Sequence, residues 1–362
     1  MHLRRVCHTF KEDMINRQFA TLRGLAIILV VFDHAIYMSL NEFGRVGLSP
    51  PSGFAHWLLV VLQQPGTIAV PIFLFLSGGF MVYAVNGREI PVAYRIVASS
   101  LRYIIVPYIV WSLIFYVVAY LLQYQRLPLL GYVKGLLVGY PFNFVPLLVF
   151  FYMLGPLLVL AVRRHPWLVL AAVLGYQLFL LNVTSPGALG VVFPSWTWWL
   201  SPPVLRNTLA KWAIYFPLGV VYGLHGKAIL DPLRRIWLPL AASGIVLYGL
   251  RVAALIQGWD ARALGMACPI PLILLCIIIK RERIPLASRL EQYGSKSYGL
   301  YLTNLIVISL LLAGIQVAAP WLLPHVIVVI PVLFLVTLNV PFWVMTLADR
   351  SPARLIQRYV FG

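Results

Sequence analysis

At 362 residues, with 61% hydrophobic and only 10% charged side chains, the chain is too apolar for an ordinary soluble domain. Its mean hydropathy of +0.89 must be organised into spans of about 20 apolar residues, because the hydrocarbon layer is roughly 30 Å thick and a helix rises about 1.5 Å per residue. A nucleic-acid role for the net charge of +18 has no RNA- or DNA-binding motif behind it. The three cysteines, Cys7, Cys268 and Cys276, have no spacing that suggests a metal site or a disulfide framework.

The first 22 residues mix basic and acidic side chains, and no small-residue cleavage site follows the first apolar run, which reads as an anchor. Apolar helices are predicted near 24–41, 66–85, 103–124, 144–162, 167–183, 209–224, 236–257, 264–279, 297–318 and 325–347. The expected architecture is all-α: a polytopic integral membrane protein of about ten spans. It divides into an N-terminal cytoplasmic segment (1–23), a membrane domain (24–347) and a C-terminal cytoplasmic tail (348–362). With both termini inside, the inner connections hold 21 of the 28 basic residues and the outer ones six, with Arg251 inside a span. That asymmetry is the positive-inside pattern. A cytoplasmic face this basic would also attract an anionic ligand.

In the first span, "TLRGLAIILVVFDHAIYMSL", Arg23 and His34 are eleven residues apart. At about 100° per residue they share one helix face, separated by a rise of about 16 Å. A neutral imidazole in mid-membrane offers a lone pair as general base or acyl carrier, or else it serves as an interhelical hydrogen bond. Asp33 faces away by about 100° and must find a partner on another span or in a wet cavity, since an acid at the helix centre costs about 3 kcal/mol. In the second span Pro71 breaks the hydrogen-bond ladder, and Ser77-Gly78-Gly79 invites another backbone to approach closely.

Arg95 and Arg102, seven apart at the inner entrance of the third span, are spaced to bind phosphate or to anchor at the interface. Trp196, Trp198 and Trp199 in an outer loop suit an interfacial belt or sugar stacking. In the ninth span Ser297, Tyr301 and Asn304 form a polar stripe. Interhelical bonding explains it as well as substrate contact does.

Taken in chain order, "LRGLAIILVVFDH", "VPIFLFLSGGF", "LRYIIVPY", "SKSYGLYLTN" and, more weakly, "AKWAIYFPLGVVYG" resemble the acyltransferase-3 family of multi-pass membrane acyltransferases. The resemblance covers roughly residues 15 to 347. It implies a bacterial inner-membrane enzyme that uses cytoplasmic acyl-CoA, most often acetyl-CoA, to acylate hydroxyls of surface polysaccharides or lipid-linked sugars, here most simply an exopolysaccharide. It further implies His34 as the catalytic histidine with Arg23 as its motif partner, Arg95 and Arg102 at the donor site, and no metal. The chain departs from the family at Ser99, where a second arginine is frequent, and at Asn304, where a histidine is frequent. Polar residues within spans equally mark a transporter or flippase for a sugar or lipid-linked saccharide.

Overall fold

The computed structural model describes residues 2–49, 51–122, 124–351 and 354–362, with side chains from 17 to 351 and from 357 onward. The side chains of Arg4, Arg5, Cys7, Lys11 and Arg354 lie outside the described residues. Among those described there is no strand. The helices in chain order are α1 (His2–Val46), α2 (Gly53–Gln63), α3 (Ala69–Val85), α4 (Ile90–Leu121), α5 (Leu129–Val138), α6 (Phe144–Arg164), α7 (Pro166–Thr184) and α8 (Arg206–Trp212). They continue with α9 (Tyr215–Arg235), α10 (Trp237–Ile256), α11 (Arg262–Ala267), α12 (Pro269–Ile278), α13 (Ala287–Ser295), α14 (Ser297–Ala318), α15 (Val326–Asp349) and α16 (Arg354–Val360).

Among the described residues, eight helical segments are long and apolar enough to cross a membrane, and a ninth forms if α8 and α9 make one span bent by 45°. The difference from ten has a physical cause in proline. Pro217 offers no N–H to the ladder at the start of α9. The buried Gln177 side chain fills the break instead, accepting from the Ile214 N–H at 2.8 Å and donating to the Ala210 carbonyl at 3.2 Å. The span expected at 264–279 appears as α11 and α12, which together run Arg262–Ile278 and fall below spanning length. The second span starts earlier than expected. It runs Gly53–Val85 through α2, a 3-10 turn at Gln64–Ile68, and α3.

Helix α1 is the axis of the bundle, packed against α3, α13, α14, α15 and the 3-10 turn, and Ala26, Ile27, Val31, Ala35 and Ile36 are fully buried along it. The Ser-Gly-Gly stretch of α3 meets α9 as anticipated. A Cβ on Gly78 would lie 2.1 Å from the Phe216 carbonyl oxygen, and one on Gly219 would lie 1.9 Å from that of Phe75. Two of the family-like motifs are therefore each other's packing partners. Gly78→Ala or Gly219→Ala should cost about 1–3 kcal/mol or more by overpacking, read as earlier thermal unfolding in detergent.

The basic connections gather at one end of the bundle. There Gln18 donates to the Ile279 carbonyl at 3.0 Å, Arg17 meets Glu291 at 3.4 Å, Arg163 bonds Asn86, and Lys296 pairs with Asp349. The Arg281 guanidinium, joined to Glu291, and then Arg17 hold the Glu291 carboxyl below its ordinary range. A depressed carboxyl stabilises only while ionised. The thermal-stability deficit of Glu291→Gln should therefore be full at neutral pH, no more than about 1 kcal/mol for a pair that water reaches, and should vanish as pH falls through the acid range.

Candidate functional site

His34 and Asn304 stand on α1 and α14, which pack side by side. His34 Nδ1 lies 2.6 Å from the Asn304 side-chain oxygen. Asn304 is fully buried, and its amide nitrogen donates to the Leu300 carbonyl at 3.2 Å and the Tyr301 carbonyl at 2.5 Å. With its N–H groups committed to those carbonyls, Asn304 offers only an acceptor to the imidazole. Neutral His34 must therefore carry its proton on Nδ1, which leaves the Nε2 lone pair free. The interhelical bond foreseen as an alternative role is present, and it occupies only one of the two ring nitrogens.

One turn of α14 before Asn304, Tyr301 lines a cavity of ≈ 360 Å³. Its wall includes Arg23, Ser77, Tyr152, Ser295, Ser297 and Tyr298, whereas neither His34 nor Asn304 is among the lining residues. A second space of ≈ 240 Å³ shares Ser295, Tyr298 and Gly362 with the first and adds Lys296 and Arg358 at the basic end of the bundle. The two spaces together run from that end to Tyr301, one turn of α14 from Asn304.

Arg23 points into this cavity. Its guanidinium sits 4.4 Å above the Phe80 ring, with Tyr152 beside it, and Ser77 reaches the Tyr152 hydroxyl. Among the described residues no carboxylate pairs with Arg23. A cation–π contact of about 2 kcal/mol offsets only part of the several kcal/mol that desolvating a guanidinium inside a protein costs. The glycine that follows it explains how the wall closes. A Cβ on Gly24 would meet the Leu290 carbonyl oxygen at 1.9 Å, so its absence lets α13, whose Ser295 shares the cavity wall with Arg23, pack closely on α1.

Of the residues singled out in the sequence, Arg23, Ser297 and Tyr301 share the cavity, and Asn304 joins His34. Arg95 and Arg102 do not join them. Both are exposed, on a face of α4 roughly 130° around from Ser100, Tyr103 and Ile104, which do line the cavity. Tyr152, Lys296 and Arg358 escaped sequence reasoning because nothing in a run such as "FFYMLGP" marks which side of the helix faces a hollow. The exposed Trp196 and Trp199 stand in a 3-10 turn at Ser195–Leu200, and Arg206 lies 5.8 Å over the Trp198 ring. Cys268 and Cys276 are free thiols, and no group of three metal-ligating side chains occurs among the described residues.

A family model described as an acyltransferase domain matches residues 16–346. No curated protein and no solved structure matches the chain.

Proposed function

The chain belongs to the acyltransferase-3 family of membrane acyltransferases, and from that premise we propose that it moves an acetyl group from cytoplasmic acetyl-CoA to a saccharide hydroxyl. The acceptor is a surface polysaccharide or lipid-linked saccharide, an exopolysaccharide in the simplest case, and the setting is the bacterial inner membrane with both termini inside. The observation that carries this reading is the orientation of His34. Asn304 holds the imidazole so that Nε2 is a free base, and Tyr301, one turn away on α14, lines a cavity whose wall carries Arg23, paired with no carboxylate among the described residues.

Arg23 and His34 are about 16 Å apart along α1, too far to touch one carbonyl together. Arg23 therefore serves the body of a donor whose anionic end and thioester are separated by a long arm. Lys296 and Arg358 at the mouth, with Arg95 and Arg102 adding to the field outside it, suit the donor's phosphates. Tyr152 and Ser77 supply hydroxyls along the arm.

At the inner end, Nε2 of His34 takes the proton of the acceptor hydroxyl as its oxygen attacks the thioester carbonyl. The carbon–sulfur bond then breaks, and the proton passes to the departing thiolate, giving an acetyl ester and free thiol. The same lone pair serves the relay route, in which the imidazole first carries the acetyl group. A trapped acetyl-imidazole identifies relay, and a requirement for both substrates before thiol release identifies direct attack. General-base help contributes about 10²- to 10⁴-fold, so positioning and oxyanion stabilisation must supply the remainder.

The test compares surface polysaccharide from cells with and without the protein by proton NMR. Loss of O-acetyl methyl signals on deletion is expected, together with thiol release from acetyl-CoA by purified protein. Unchanged glycan acetylation and an intact thioester would point instead to transport.

A further inference from the structure

Asp33 is adjacent to His34 in the chain but turns to the other side of α1. There it lies against the 3-10 turn that interrupts the second span. A Cβ on Gly66 would come within 2.3 Å of the Asp33 Cβ, and the Gln63 side chain faces the carboxylate. Across the same turn, Arg251 of α10 donates from Nη1 to the Thr67 hydroxyl at 2.8 Å, and its guanidinium packs on Gly265. The charges of Asp33 and Arg251 act on one another, yet no ion pair joins them among the described residues.

Arg251 and the turn keep unused hydrogen-bonding capacity. Arg251 Nε and the Gln64 side-chain oxygen are buried without a partner, while Asp33, Gln63, Thr67 and Arg251 are each partly open rather than sealed. An acid and an arginine inside a membrane protein are expensive. If their only task were to hold helices together, a direct, fully bonded pair would repay that cost far better. Irregular backbone at membrane depth is likewise tolerated where it is buried in protein or lines a cavity.

We propose that Asp33 and Arg251, set on the Gln63–Thr67 turn, form the acceptor subsite, holding a neutral saccharide and presenting one of its hydroxyls to His34. This rests on the acyl-transfer reading above. The charge pattern selects the ligand class. The carboxylate repels anions and accepts from hydroxyls, the guanidinium repels cations and donates to hydroxyl or ring oxygens, and a polyol satisfies both at once. The donor cavity lies along the Arg23 face of α1 and this cluster on the Asp33 face, so His34 receives its two substrates from different directions.

The test uses the full-length protein as Asp33→Asn, Arg251→Gln, Arg251→Lys and Thr67→Val, beside wild type and His34→Ala. Three quantities are read: O-acetyl content of the cells' own surface polysaccharide, binding of labelled acetyl-CoA to the purified protein, and its elution on gel filtration. At least tenfold loss of glycan acetyl in Asp33→Asn and Arg251→Gln is expected, with acetyl-CoA affinity within twofold of wild type. Arg251→Lys and Thr67→Val should fall between, and they decide the matter should the first two fail to fold. Wild-type acetyl levels in folded Asp33 or Arg251 variants, while His34→Ala has none, would overturn the subsite and leave the acyl-transfer reading standing. Equal loss of acetyl-CoA binding and acetylation would assign the pair a structural role and also overturn it. If wild type neither binds acetyl-CoA nor acetylates glycan, the acyl-transfer reading fails, and the subsite with it.

Discussion

His34→Ala should lower acetyl transfer by about 10²- to 10⁴-fold while leaving the protein folded in the membrane and its affinity for acetyl-CoA nearly unchanged. The expectation combines two features. The imidazole has a free lone pair on Nε2 and is held in place by a buried neighbour. It is also not among the residues that line the donor cavity, so truncating it removes the base without reshaping the wall of that space. Thiol release from acetyl-CoA, measured against binding of labelled acetyl-CoA by the same preparation, separates the two effects. A variant with full transfer would remove His34 from the chemistry.

The second large effect is expected at Asn304, which acts through His34 and is a positioning residue. In Asn304→Leu the Nδ1 proton has no acceptor, and the ring is free to adopt the other tautomer or turn away. Transfer should fall about 10- to 100-fold, the range typical when an outer partner of an oriented imidazole is lost. The loss should appear in kcat, with KM for acetyl-CoA little changed. Asn304→Asp keeps an oxygen facing Nδ1 and should retain more activity than Asn304→Leu, a ranking that a purely structural bond would not produce. Equal destabilisation of both variants with unchanged turnover would instead make the His34–Asn304 contact interhelical packing alone.

Much of this was legible in the residues, for reasons that differ from motif to motif. The bilayer imposes a length and polarity rule on every span, so long runs such as 24–41 and 297–318 declare themselves. The eleven-residue spacing of Arg23 and His34 fixes a shared face by helix geometry alone, and the structure places the arginine in the cavity wall on that face. Gly78 similarly announced a close approach, although its partner Gly219 became visible only in three dimensions.

What stayed hidden depends on contacts between distant segments. Asn304 departs from the residue frequent at that position in the family, and on sequence alone it carried no acid–base role. Its value lies in being able to turn an acceptor to the histidine while its own amide nitrogen is occupied. Asp33 was expected to need a partner elsewhere, but nothing in the chain pointed to Gln63 or Arg251. Arg95 and Arg102 have a spacing suited to phosphate, yet a seven-residue repeat fixes only that they share a face of α4, not which side of the bundle that face meets. The structure interrupts two of the expected spans at Pro217 and Pro269, because hydropathy measures greasiness and not the continuity of a hydrogen-bond ladder.

Everything proposed for the chemistry depends on His34 being held as a base with its proton on Nδ1 and its lone pair on Nε2. The most direct test is nitrogen-15 NMR of the protein in lipid nanodiscs with ring-labelled histidine, His34 being assigned by comparison with His34→Ala. At neutral pH a protonated Nδ1 and an unprotonated Nε2 are expected, with that preference lost in Asn304→Leu. A proton found on Nε2, or equal populations of both tautomers in the wild-type protein, would contradict the account.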